Sequence, residues 1–195
     1  MQVLDSSGTL RNLGQMTDVD SSLILIHSSE TKKGCYRYVG SASPPATPTD
    51  WIVVKGSVSM TLRIKRIVLG GIATTAGSMP VVLIKRSTGP TGGTPVTVVA
   101  GEHDNNDATA TAAVTRYTAN PASLGTLISN VGQGRLWLPL ATGQPFPLVW
   151  EFATRQDKAL ILRGASDYLC VNLGGAAVPA GGVIDFELEI EEDNS

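Results

Sequence analysis

The densest set of side chains able to do chemistry is Glu102-His103-Asp104-Asn105-Asn106-Asp107. Carboxylates, amide oxygens and an imidazole in one short run could surround a divalent cation. The run has no glycine pivot and no distal bidentate glutamate, so it is not an EF-hand loop. It also lacks the paired-histidine spacing of a zinc site. Asp and Asn side chains in series bond their own backbone, and the segment reads as an Asx-rich turn. His27 and His103 are the only histidines, which leaves most imidazole mechanisms short of parts. No Gly-x-Ser-x-Gly elbow occurs. Gly70-Gly71 and the run Gly89 to Gly93 follow strand-like segments without opening a helix, so they read as turns rather than phosphate loops. Glu187, Glu189, Glu191 and Glu192 could supply the two carboxylates of a glycosidase, but they are expected to lie along one exposed strand face as a solvated edge. Trp51, Trp137 and Trp150 could stack on sugar rings. Their apolar neighbours, as in Leu136-Trp137-Leu138, favour core or interface packing. The chain is therefore expected not to be an enzyme, with no catalytic residue, no cofactor-binding residue, no metal ligand and no cofactor assigned.

Composition narrows the partners. The chain has 195 residues, of which 42% are hydrophobic and 16% charged, with a formal net charge of −2. That length supports a core burying roughly 70% of the unfolded surface. A near-neutral balance offers no basic face to nucleic acid. No apolar run approaches the ~20 residues of a membrane span. The N-terminus Met1-Gln2-Val3-Leu4-Asp5 lacks the basic start and apolar stretch of a secretion signal. A soluble protein with no nucleic-acid and no membrane partner is expected. Cys35 and Cys170 lie far apart, and Cys170 sits in an apolar run where a buried thiol packs as a small hydrophobe. Free thiols in a reducing compartment are the expected state.

The elements that must position these residues are strands. From Ile184 to Glu191, apolar Ile184, Phe186, Leu188 and Ile190 interleave with Asp185, Glu187, Glu189 and Glu191. A period of two marks a half-buried strand. Its acidic face needs either opposite charges on a neighbour, for which Arg63 and Lys65 are candidates, or a solvated edge position. Strands are predicted at 51–54, 57–69, 79–87, 94–99, 110–117, 124–131, 134–139, 147–152, 159–163, 167–173 and 182–192. In the second of these, Val58, Met60, Leu62 and Ile64 are expected to point inward, with a bulge where the alternation slips at Arg66-Ile67. Helical periodicity is nearly absent, and Thr109, Thr111 and Val114 argue for an extended path through the Ala-rich span near residue 110. Short strands at roughly ten-residue spacing, with long connections at 99–110 and 139–147, predict an all-β chain. The expected architecture is a jelly-roll-like antiparallel β-sandwich with an extended N-terminal arm.

The arm is expected to span residues 1–50 and the sandwich residues 51–195. Leu23-Ile24-Leu25-Ile26 is one short strand of the arm, and Tyr36 to Val39 is a second candidate. Pro44, Pro45 and Pro48 then favour an extended path that cannot join a central strand. Such an arm buries little apolar surface alone and is expected to lie along the main domain, along a neighbouring subunit, or to stay partly mobile until docked.

Several phrases carry a resemblance. Val81 to Thr88 leads through Gly92-Gly93-Thr94 to His103 to Ala108. Arg116-Tyr117-Thr118-Ala119-Asn120-Pro121 follows, with Leu124-Gly125-Thr126, Pro147 to Trp150 and Leu162-Arg163-Gly164. Across roughly residues 57–192 the chain resembles small virion structural proteins of tailed bacteriophages. The resemblance implies a non-enzymatic capsid decoration (cement) protein reinforcing the head shell. It would act with the major capsid protein or another virion protein as partner, as a homo-oligomer (trimer favoured), in a virion assembled in the host cytoplasm. A tail, baseplate or fibre-attachment component uses the same fold, and a lectin-like carbohydrate-binding jelly roll is the reading from another class.

Overall fold

The computed structural model describes residues 2–4, 10–12, 33–144, 146–153 and 158–193. Among the described residues fourteen strands run in the order β1 (Gln2–Leu4), β2 (Leu10–Asn12), β3 (Gly34–Ala42), β4 (Asp50–Lys55), β5 (Thr61–Ile72), β6 (Gly77–Arg86) and β7 (Thr94–Val98). They continue with β8 (Ala100–Glu102), β9 (Ala113–Ala119), β10 (Leu127–Leu138), β11 (Leu148–Glu151), β12 (Leu160–Arg163), β13 (Tyr168–Asn172) and β14 (Val183–Asp193). β1 and β2 form an antiparallel ladder of their own, with Val3 opposite Arg11. Leu23–Ile26 and His27 lie outside the described residues.

Lys33–Ser195 is a compact unit in its own right, built of two antiparallel sheets packed as a jelly-roll-like sandwich. The first sheet runs β11-β5-β14-β3-β8 and the second β10-β6-β13-β4-β9-β7, with β12 also paired to β5. The last two strands slot between early ones: β14 separates β3 from β5, and β13 separates β4 from β6. β11 and β12 act as one interrupted edge strand, pairing Glu151 with Arg66 and then Leu160 with Ile64. Strands β7 to β9 are an insertion between β6 and β10 that widens both sheets, β8 joining β3 while β9 and β7 extend from β4. Successive strands that change sheets, closed by the last two strands, make the crossing pattern of a jelly roll.

Alternation fills the space between the sheets. Leu62, Ile64, Ile67 and Leu69 of β5 and Ile184, Phe186, Leu188 and Ile190 of β14 are buried against Ile52, Val54, Met79, Val81, Leu83, Leu169 and Val171 of the other sheet. Trp51 is 1% exposed and meets Phe186 edge-on, with ring centroids 5.6 Å apart and planes at 84°. Such a pair adds about 0.5–1.5 kcal/mol beyond its area. The expected bulge in β5 is present: Glu189 pairs with Arg66 but Ile190 with Ile64, so Lys65 is the extra residue.

The structure moves three boundaries. Segment 33–50 belongs to the sandwich and not to an arm, because β3 is hydrogen-bonded between β14 and β8 and buries Tyr36 and Tyr38. The prolines between β3 and β4 lack N–H donors, yet the segment is held by acceptors: the carbonyls of Ala46, Pro48 and Thr49 take the N–H groups of Val178, Gly175 and Leu173. Val58 is 86% exposed rather than inward, since β5 starts only at Thr61. The two strands expected at 124–131 and 134–139 are one strand, β10, with register shifts at Leu127/Ser129 and Asn130/Gly132. Bulges broke the alternation and made one strand read as two.

A chain beginning at Lys33 is expected to unfold cooperatively in a thermal melt followed by circular dichroism. One beginning at Trp51 loses β3 and is expected to show no cooperative transition. A cooperative melt from the shorter chain would contradict the boundary.

Candidate functional site

The outer face of the first sheet collects most of the charge, and β14 organises it. Its odd-numbered residues point away from the core, so Glu187, Glu189, Glu191 and Asp193 form an acidic row between β3 and β5. The flanking strands answer with cations. Arg37 of β3 approaches Glu187 at 3.6 Å and Glu189 at 3.4 Å. On β5, Arg63 reaches Glu191 at 3.7 Å and Asp193 at 3.3 Å, Lys65 reaches Glu191 at 3.5 Å, and Arg66 reaches Glu187 at 3.5 Å. Lys33 lies 3.0 Å from Glu191, and this hydrogen bond raises its pKa. Arg66 also meets Glu151 of the edge strand at 3.6 Å. The bulge matters here, because it lets the consecutive residues Lys65 and Arg66 both face outward. Single pairs of this exposure contribute about 0–1 kcal/mol. Their joint effect is to let acids occupy the middle of a sheet. The opposite-charge reading of the last strand therefore holds, and the solvated-edge reading does not.

The lattice stops short of the far end of β14. Asp185 pairs in register with Ser41 on one side and Gly70 on the other, whereas Glu189, two rows back, sits between Arg37 and Arg66. One row back, Glu187 sits between Val39 and Val68, and Val68 is opposite Val149. Val39, Ser41, Val68, Gly70, Asp185 and Glu187 line a shallow groove of 520 Å³ whose floor is open at Gly70, where an added Cβ would meet nothing within 4 Å. Val39 is 57% exposed. The face thus changes along its strands from a paired charge array to an apolar groove with one free carboxylate.

The outer face of the second sheet carries a buried brace. Arg86 donates from Nε to Asp50 Oδ2 at 2.8 Å and from Nη2 to Oδ1 at 3.1 Å, and Asn172 Nδ2 donates to Oδ1 at 2.6 Å. Arg86 also donates to the Gly125 carbonyl at 3.4 Å, fastening the 119–126 connection onto the sheet. Burial opposes the guanidinium charge, but the hydrogen bonds and attraction of Asp50 outweigh it and raise the Arg86 pKa. Cys170, Val53 and Tyr117 pack beside this pair. Burial first, then the Asp50 charge, pushes the Cys170 thiol far up.

The sequence-derived candidates scatter over the molecule. Asp104 Oδ1 accepts from the backbone and side-chain nitrogens of Asn106 at 2.9 and 3.2 Å, the bonding of an Asx turn. Asp107 instead accepts from the Cys35 N–H at 3.3 Å, tying the turn to β3. Among the described residues no three His, Cys, Asp or Glu side chains are grouped as a metal would require. Glu192 is turned inward and accepts from Thr111 and Ala112, closing the open side of the sandwich over segment 108–112, where Tyr36 and Tyr38 donate to the Ala108 and Ala112 carbonyls. Trp51 is core and cannot stack on a ligand. Trp150 fits over Gly132 and Gly134 of β10. Trp137 is 44% exposed. Both cysteines are free thiols. Sequence reading missed Asp50–Arg86, since no pattern links residues 36 positions apart, and it missed the groove, which exists only once Ser41, Asp185 and Gly70 are in register.

The phrases carrying the resemblance also find a physical role. Gly92 and Gly93 have φ of 73° and 72°, and a Cβ on Gly93 would lie 2.6 Å from the carbonyls of Ala119 and Asn120. The Gly-Gly-Thr loop therefore packs directly on the Ala-Asn-Pro turn. Asn120 in turn accepts from the Thr49 N–H and donates to the Thr47 carbonyl. No protein-family model and no curated protein matches the chain.

Asp50→Ala leaves a buried guanidinium unpaired and is expected to cost about 3–5 kcal/mol in urea unfolding, whereas replacing Asp50 and Arg86 together by apolar residues of similar volume costs far less. Equal losses from the single and double changes would contradict the brace. Both thiol pKa values are raised, that of Cys35 by burial and then by Glu189 and Glu191. At mildly alkaline pH both thiols hold less thiolate than a free cysteine. A disulfide reagent is expected to label Cys35 slowly and Cys170 only on unfolding; rapid labelling of Cys170 in the native protein would contradict its burial.

Proposed function

We propose that this chain is a non-enzymatic structural component of a tailed-phage virion, a capsid decoration protein that reinforces the head shell. The observation that carries the reading is the outer face of the first sheet. It holds a self-neutralised charge array beside an apolar groove, an arrangement for contact with another protein and not for turnover. Support comes also from the phrases that resemble those of small virion proteins, among which the Gly-Gly-Thr loop packs on the Ala-Asn-Pro turn. Jelly rolls serve viral capsids and lectins alike, so the fold supports the reading without selecting it. The polar clusters among the described residues are spent on structure: Asp50–Arg86 braces a connection, Glu192 closes the sandwich, and the Asp104 turn bonds itself. The partner in this reading is the major capsid protein or another virion protein, and the segment ahead of the sandwich contributes to attachment.

Exposure of Trp137 favours one second reading, a carbohydrate-binding jelly roll with this indole as its stacking platform. A tryptophan-fluorescence titration with a panel of sugars separates the two, since saturable quenching lost in Trp137→Ala supports the lectin reading.

Heads assembled without this chain are expected to bind the purified protein saturably in a sedimentation assay. The chain beginning at Lys33 is expected to bind at least about tenfold more weakly, the loss of roughly 1.4 kcal/mol of contact. No binding by the full chain contradicts the decoration role; undiminished binding by the shorter chain contradicts only the part assigned to residues 1–32.

A further inference from the structure

The charge array on the first sheet is one cation short. Its five cations, Lys33, Arg37, Arg63, Lys65 and Arg66, meet five acids, Glu151, Glu187, Glu189, Glu191 and Asp193. Asp185 continues the acidic row but meets no cation among the described residues, because Ser41 and Gly70 flank it and Val39 and Val68 fill the next row, which puts Arg37 and Arg66 two rows away. It is exposed at the end of the groove walled by Val39 and Val68. An aliphatic or aromatic surface lying on those valines, with a positive charge two residues away, is the chemistry this site would take.

The same chain presents that chemistry elsewhere. On β10, Leu136 and Leu138 face the core, so Arg135 and Trp137 project side by side from the outer face of the second sheet. Arg135 touches only the Ser78 hydroxyl, at 3.1 Å, and meets no carboxylate among the described residues. Trp137 is 44% exposed on the edge strand of its sheet. The two surfaces lie on opposite faces of the sandwich, so one molecule cannot satisfy itself.

We propose that the groove over Gly70 is a self-association site that receives the β10 outer face of a second copy, with Trp137 seated on Val39 and Val68 and Arg135 paired to Asp185. The contact joins two different surfaces, so it is heterologous and propagates from copy to copy until it closes into a ring or continues as a filament. It does not depend on the virion reading, because it rests only on complementary features of this chain. A stable interface places such an aromatic and arginine near its centre.

Sedimentation velocity over a concentration series tests it. The wild-type chain is expected to associate. Asp185→Arg and Arg135→Asp are each expected to weaken association by about tenfold or more, and the chain carrying both changes is expected to recover it, since every contact then regains an opposite pair. Both positions are exposed, and unchanged melting curves verify that the variants fold. A second probe, Gly70→Leu, fills the groove floor and is expected to block association with the charges intact. A wild-type chain that stays monomeric overturns the proposal, as does association indifferent to the single changes, and so does a double variant that fails to recover.

Discussion

Register on β14 is the constraint on which the sandwich depends. This strand lies between β3 and β5 and pairs along nearly its whole length with both. Its side chains alternate between four apolar residues in the core and a line of carboxylates outside. A slip of one residue would drive Glu187 and Glu189 between the sheets and expose Phe186 and Leu188, so the pairing tolerates no neighbour register. The bulge at Lys65 is part of the same constraint. It shifts the phase of β5 midway, which keeps Ile64 and Ile67 buried while giving β14 two consecutive cations.

A second, independent lock acts across the other sheet. Asp50, Arg86 and Asn172 come from β4, β6 and β13, three adjacent strands, and their hydrogen bonds tie those strands on the face away from the core. Burying such a pair costs desolvation that hydrophobic packing would not, and its benefit lies in geometry. The bidentate fork fixes one arrangement of the strands, and the extra bond to Gly125 extends that order into a loop. The jelly roll thus has apolar packing in the middle and a different electrostatic device on each outer surface. One is buried and local, the other spread over a sheet and open at one end.

How much of this was legible in the sequence follows from the range of each signal. The class of fold was legible because alternation is local: Ile184 to Glu191 declares a strand without reference to anything else. The pairing of the acidic row with Arg63 and Lys65 could be named as an option, since charge sign is local too, but choosing it required knowing that β14 is central. Strand β3 is hard to read because Gly34, Gly40 and Ser41 dilute its pattern and the prolines after it suggest an extended arm. The segment that carries them is in fact held through the carbonyls of Ala46, Pro48 and Thr49, tertiary bonds that composition does not reveal. The Asx turn at Asp104 was legible from residue type alone. The groove was not, because it is made by what Ser41 and Gly70 lack once they are brought beside Asp185 from positions far apart in the chain.

Native-state hydrogen exchange, resolved by residue, tests the central claim most directly. If β14 is the middle strand of its sheet, the amides of residues 184–192 exchange only through global unfolding, as slowly as those of β5 and more slowly than those of the edge strands β7 and β10. Rapid exchange along β14, with protection confined to its neighbours, would make it an edge and contradict the register on which the account rests.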